Sequence, residues 1–292
     1  GYVYGTIPAK GDHPVRVGFI AHMDTSDAVK GPTHPHMVKN YDGGAITLEN
    51  GVVIDGFDFL SGLKGQDLIV TDGTCVLGAD DKAGVAEIMT LAARLMAPDA
   101  PEHCAVSIGF TPDEEIGRGA DLFNVADFHA DYAYTVDGGA LGELEYENFN
   151  AAAAQVKVRG VNIHPGSAKN QMKNALLIGM EFNGMLPAWE TPAHTEGYEG
   201  FYHLCEMQGD EELTTLSYIL RDHDADKLEQ KKETMRRIAA YLNQKWGEGT
   251  VEVTIKDSYR NMREMLEPHM EIVDKAKDAF EACGVTPIVQ PI

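Results

Sequence analysis

The chain alternates compact apolar runs with short polar clusters, and their spacing predicts the elements. Residues 15–21 (VRVGFIA) form an apolar, β-branched run typical of a buried strand, and polar His22-Met23-Asp24 follows directly. Residues 105–110 (AVSIGF) repeat the arrangement and again lead into a polar cluster. Residues 132–136 do the same and end at Asp137-Gly138-Gly139. Residues 67–71 (DLIVT) read as a further short strand. Over residues 82–96, Val85, Ile88, Met89, Ala92 and Leu95 recur at helical spacing until Pro98 stops the pattern. Asn50-Gly51, flanked by apolar residues within 44–55, is a hairpin signal. Strands alternating with helices predict an α/β sheet covered on both faces.

The pattern changes after Asn148. Residues 151–159 alternate as a strand, and 171–186 read as an amphipathic helix that ends at Pro187. Residues 213–221 (LTTLSYILR) read as a strand, 225–246 as a long charged helix, and 250–256 alternate strictly. That order resembles a split βαβ sandwich with one strand unread. The expected organisation is a first domain over 1–148, an inserted α+β two-layer sandwich over 149–261, and a return to the first domain over 262–292. The returning stretch is helix-like through Ala279. Both ends of the chain read as cut, so the expectation is a fragment of a longer polypeptide.

Composition narrows the possibilities. The 292 residues exceed the usual size of one domain, and 43% apolar content is enough for a core in each of two. Asp plus Glu number 46 against 24 Lys plus Arg, a formal net charge of −22. A surface this acidic repels nucleic acid and anionic membrane, so neither is an expected partner. The four cysteines lie far apart with no Cys-x-x-Cys pair, which fits free thiols in a reducing cytoplasm better than a disulfide framework. No signal peptide or membrane-spanning apolar run is visible in the sequence.

The candidate chemistry lies where strands end. His22-x-Asp24, Glu114-Glu115 and Asp137 each follow a predicted strand, and Asp80-Asp81 precedes the first helix. Loops at the carboxyl ends of neighbouring strands converge on one crevice in such a sheet. Each motif alone reads as surface polarity. Gathered together, so many like charges cost stability unless cations offset them. One His with several carboxylates is a ligand set for zinc, cobalt or manganese. Residues two apart in extended chain share a face, so Asp24 can accept the second ring N–H of His22 and fix its tautomer. Asp81 reads as a helix N-terminal acid and Asp80 as the better bridging ligand. Adjacent Glu114 and Glu115 diverge, so one can face a metal while the other handles the proton of an attacking water.

With those residues in view, the sequence resembles the co-catalytic zinc peptidase family that includes the aminoacylases, and within it the tripeptide aminopeptidases. The resemblance rests on His22-Met23-Asp24-Thr25-Ser26, Val70-Thr71-Asp72-Gly73-Thr74, Leu77 to Ala83, Phe110 to Gly117 and Val136-Asp137-Gly138-Gly139, in matching order and spacing over essentially the whole chain. It implies a zinc-peptidase catalytic domain, with a mixed sheet flanked by helices, and an inserted lid and dimerisation domain. It also implies two zinc ions. His22 and Asp137 would hold one, Glu115 the other, and Asp80 would bridge them. Glu114 would be the general base and acid, and Asp24 the partner of His22. In the inserted domain, His164 would stabilise the substrate carbonyl oxygen and Arg221 would receive its C-terminal carboxylate. The implied activity is removal of the N-terminal residue from tripeptides, by a cytoplasmic homodimer that pairs through the inserted domain. The family closes its second zinc site with a further histidine in a Gly-rich segment, expected beyond Ile292, so this chain would hold the second ion weakly. The family's N-terminal helical stretch is also missing here. His269 is in the wrong place to fill that gap, and His34 and His36 read as part of a Pro-rich loop. Competing expectations are an N-acyl amino acid deacylase or dipeptidase of the same family, and a non-catalytic metal- and peptide-binding protein.

Overall fold

Two parallel, paired strands, Arg16–His22 and Ala105–Thr111, organise the first half of the chain. The computed structural model describes residues 1–291, which divide into two units at Ala140/Leu141. In chain order the first unit contains β1 (Val3–Ile7), β2 (Arg16–His22), β3 (Pro35–Val38), β4 (Ile46–Thr47), β5 (Val53–Ile54), β6 (Leu68–Thr71), α1 (Ala79–Leu95), β7 (Ala105–Thr111), α2 (Val125–Phe128) and β8 (Tyr132–Thr135). Its main sheet has the order β1-β7-β2-β8. Strands β7 and β8 run parallel to β2, and β1 runs antiparallel to β7, so the sheet is mixed. Strand β1 has no counterpart in the sequence reading, because Gly5 interrupts a run of only five residues.

Helices cover both faces of this sheet. Ile88 and Ala92 of α1 pack with Ile7, Ala21, Val106, Ile108 and Phe110 in one core. Alternation sends Gly18 and Gly109 to the opposite face. A Cβ on Gly18 would lie 2.4 Å from the Phe128 ring, and one on Gly109 3.1 Å from it. The missing side chains let Phe128 and Phe123, with ring centroids 5.1 Å apart, lie directly on the strands. Beside the sheet, the β4–β5 hairpin and the β3–β6 ribbon surround a small core of Tyr41, Ile46, Leu48 and Leu60. His36 therefore sits in a strand rather than in the expected Pro-rich loop. Pro35 is tolerated there because it is the first residue of β3.

The second unit contains β9 (Glu143–Leu144), β10 (Asn150–Arg159), α3 (Ala175–Gly184), β11 (Phe201–Gly209), β12 (Leu213–Asp222), α4 (Ala225–Trp246), β13 (Val251–Tyr259), α5 (Arg263–Leu266), α6 (Glu271–Ala282) and β14 (Ile288–Val289). An antiparallel sheet of order β11-β12-β10-β13 carries α3 and α4, the expected two-layer sandwich. Strand β11 is the one left unread. Phe182, Leu216, Leu220, Met235 and Leu242 are fully buried between the layers. Each such side chain contributes roughly 1.5–3 kcal/mol relative to exposure.

The helix expected over 171–186 is shorter at its start. Lys173 bridges to Val161, and the Asn174 side chain accepts the Leu177 N–H at 3.1 Å, which begins α3 at Ala175. The helix-like stretch after Met262 is broken into α5, a 3-10 turn at Glu267–His269 and α6, with Pro268 at the break. Strand β14 pairs in parallel with β9. No helix among the described residues is long and apolar enough to cross a membrane, and the four cysteines are free.

Candidate active site

The register of the first unit's sheet sets the site. His22 closes β2 opposite Thr111 of β7, and Val136 N–H donates to Ile20 O at 2.8 Å where β8 ends. The polar residues following three parallel strands are thereby held level. Helix α1 opens beside them. Asp80 and Asp81 have non-helical dihedrals, so regular helix begins at Lys82, as the periodicity predicts.

His22 is the buried centre of the group. Its Nε2 lies 2.8 Å from Asp80 Oδ1, 3.8 Å from Asp137 Oδ2 and 3.9 Å from Glu114 Oε2. Its Nδ1 is 3.1 Å from the Asp24 carbonyl oxygen and 3.4 Å from the Asp24 carboxylate. The expected acceptor is the Asp24 carboxylate; the backbone oxygen of the same residue is the nearer one. Either contact places the proton on Nδ1 and turns Nε2 toward the carboxylates. Burial opposes protonation of His22, but the Asp80 acceptor and the Asp137, Asp81 and Glu114 charges outweigh it and raise its pKa.

Asp24 has a second task that spacing could not reveal. Its two carboxylate oxygens accept the backbone N–H groups of Glu114, at 3.2 Å, and Glu115, at 3.1 Å. Burial pushes its pKa up, but those two donors prevail and hold it below the usual carboxylate range. Asp24 thus anchors the 3-10 turn, Glu114–Ile116, that presents both glutamates. Glu115 Oε1 accepts the Ser26 N–H at 2.8 Å. Burial, then the neighbouring Asp137, Glu115 and Asp80 charges, raise the pKa of Glu114 against the opposing pull of His22. Asp137 is raised by burial and by Asp80.

Two overlapping sets of donor atoms lie within 4.8 Å of one another, His22 with Asp80 and Glu115, and His22 with Asp81 and Asp137. Imidazole and carboxylate oxygens at this separation, with the Asp81 and Asp137 pKa values raised by burial and then by neighbouring carboxylates, are the arrangement that a divalent cation relieves. Asp81 is 2% exposed, and burial pushes its pKa up to about 6. His34 and His36 belong to neither set. His36 Nε2 instead lies 3.6 Å from Glu49.

His164 and Arg221 belong to the second unit. His164 is exposed, caps the turn Pro165–Ser167, and its Nδ1 accepts the Gly166 N–H at 3.2 Å. It lines an open hollow with Asn162, Met172, Asn174 and Glu211. The Arg221 guanidinium stacks over the Tyr259 ring, 5.1 Å from its centroid. Among the described residues it forms no ion pair with a carboxylate. Tyr259 was not foreseen, because only sheet pairing brings β13 beside β10 and hence near Arg221.

Residues 146–250 match the family model described as a peptidase dimerisation domain. Over its whole length the chain is 55% identical to peptidase T of Desulfitobacterium hafniense and spans 73% of that protein. The chain belongs to the peptidase T family. Peptidase T of Halothermothrix orenii is 53% identical over the whole chain, which again spans 73% of the relative. The fold is similar to the crystal structure of aminopeptidase PepT from Bacillus cereus, with a TM-score of 0.76 and 23% identity. That likeness covers 100% of this chain and 70% of the other. As a member of the peptidase T family the protein is an aminopeptidase, a hydrolase of peptide bonds.

Proposed function

We propose that this aminopeptidase is zinc-dependent and removes the N-terminal residue from tripeptides, with Glu114 as the general base and acid. The observation that carries the reading is the convergence of Asp80, Asp137 and Glu114 on one ring nitrogen of His22. His22 and Asp137 would hold one zinc ion, Glu115 the other, and Asp80 would lie between them. Bound there, zinc supplies Lewis-acid polarisation of the scissile carbonyl and acidifies water. Glu114 takes the proton of the attacking water and returns it to the leaving amine. A carboxyl group with a raised pKa is suited to both transfers. Asp24 fixes the Nδ1 side of His22 and the turn that carries Glu114.

His164 and Arg221 are assigned to the substrate, His164 to the carbonyl oxygen and Arg221 to the C-terminal carboxylate. A guanidinium stacked on Tyr259 and lacking an ion-pair partner among the described residues supports the second assignment. The domain scheme belongs to the same proposal, with the catalytic domain over 1–148 and 262–292 and the insertion over 149–261. It is supported by the pairing of β14 with β9, which precedes the insertion. Two chains would pair through the inserted domain, in the cytoplasm.

The test is hydrolysis of matched di-, tri- and tetrapeptides and of an N-acetylated tripeptide, with zinc present. The tripeptide is expected to turn over fastest and the acetylated peptide not at all. Equal rates on all three lengths would remove tripeptide selectivity, and cleavage of the acetylated peptide would transfer the protein to the deacylases.

A further inference from the structure

One buried carboxylate in the first unit has no part in the chemistry above. The geometry points to Asp81 as a positioning residue, whose carboxylate ties the backbone of His22 to the first turn of α1 and so sets the spacing of three ligand-bearing segments. This rests on the metal-centre reading of the preceding section. Asp81 Oδ2 accepts the His22 backbone N–H at 3.1 Å, and Oδ1 accepts the Gly84 backbone N–H at 3.1 Å. The two donors lie on different elements, β2 and α1. The third segment meets the same turn, because a Cβ on Gly84 would lie 2.1 Å from the carbonyl oxygen of Val136 and 2.6 Å from Asp81 Oδ1. Val136 immediately precedes Asp137. The turn that begins with Asp80 is thus hydrogen-bonded to His22 and packed on the approach to Asp137.

The atoms of Asp81 lie close enough to those of His22 and Asp137 to be counted among possible metal donors. Both of its oxygens nevertheless face backbone N–H groups, which is the arrangement of a clamp. A carboxylate that is 2% exposed among other acids is costly unless its oxygens are satisfied, and these two donors satisfy them. Asparagine is nearly the same shape but offers one acceptor oxygen. Its NH2 group would face one of the two N–H donors, and that side of the clamp would open.

The experiment compares the parent chain with Asp81→Asn and Gly84→Ala, the latter disturbing the same junction from the helix side. In the metal-free proteins, hydrogen exchange at the His22 and Gly84 amides is expected to be at least about tenfold faster in Asp81→Asn, with the other β2 amides unchanged as internal references. Zinc affinity by calorimetry is expected to fall roughly 10- to 100-fold in each variant. Turnover lost at limiting zinc is recovered at saturating zinc with KM unchanged, a rescue that general loss of structure would not give. Melting of the metal-free chains separates folding from positioning, and if Asp81→Asn does not fold, Gly84→Ala carries the comparison. Unchanged exchange at His22, or zinc affinity within about twofold of the parent in a folded variant, would overturn the proposal. Failure of the metal-centre reading shows elsewhere, as a parent chain that takes up no zinc.

Discussion

His22 gathers the site because one residue offers two differently used nitrogens. Nδ1 is held by Asp24, and Nε2 meets three carboxylates. If Glu114 carries the proton, Glu114→Gln should keep zinc uptake and lower kcat by at least about 100-fold, the usual range for a general base. Retention of full turnover by that variant would remove the mechanism. Arg221→Ala should raise KM for tripeptides by about tenfold or more while leaving kcat for saturating substrate closer to the parent value. Arg221→Lys should not restore KM, because a point charge cannot form the paired bonds of a guanidinium. Steady-state kinetics on both variants read this directly. At this scale the sequence reveals the donors, since His22, Glu114, Glu115 and Asp137 each follow a run that is visibly a strand. The contacts that hold those donors are not visible. The hold of Asp24 on Glu114 and Glu115, and the stacking of Arg221 on Tyr259, join segments far apart in sequence.

The elements follow local chemistry where their signals are strong. Helix α4 spans Ala225–Trp246, as its periodicity predicts, and starts where the Asp224 side chain accepts the Lys227 N–H at 3.0 Å. Short or interrupted strands are harder to read. Gly5 breaks the pattern of β1, and β11 is an edge strand whose outer half is exposed, so neither shows a clean alternation. The over-extension of α3 has a specific cause, because Gln171, Met172 and Lys173 are all good helix formers, but Lys173 is taken by a bridge to Val161.

Two predictions belong to this scale. Gly18→Ala forces a methyl group to within 2.6 Å of two Phe128 ring atoms, and should destabilise the first unit by about 1–3 kcal/mol in denaturant unfolding. An unchanged midpoint would contradict the aromatic packing described for that face. On the second unit, Glu181 of α3 accepts from Lys245 and Trp246 of α4, and the Lys245 hydrogen bond is the main reason its pKa is lowered. A lowered carboxylate contributes stability that is present above its unfolded pKa and is lost as pH falls through its folded one. The parent should therefore lose on the order of 1 kcal/mol relative to Glu181→Gln on acidification below about pH 4. Parallel pH–stability curves would show that the pair contributes nothing.

For the molecule as a whole, the two units divide the labour that the sequence suggested by its change of texture after Asn148. The candidate ligand set lies in the first unit, while the segment matching a peptidase dimerisation domain lies in the second. The 46 Asp and Glu residues behind the net charge of −22 include the carboxylates that crowd around His22. Sedimentation equilibrium should give twice the chain mass if pairing runs through the second unit, and a monomer at micromolar concentration would count against it. The further histidine expected beyond Ile292 lies outside the described residues.

The claim on which everything else depends is that His22, Asp80, Glu115 and Asp137 form a metal centre. Calorimetric zinc titration of the metal-free chain, beside His22→Ala and Asp80→Ala, tests it most directly. Saturable zinc binding by the parent is expected, with its loss in both variants while each remains folded. Absence of binding in the parent, or binding unchanged by either substitution, would contradict it.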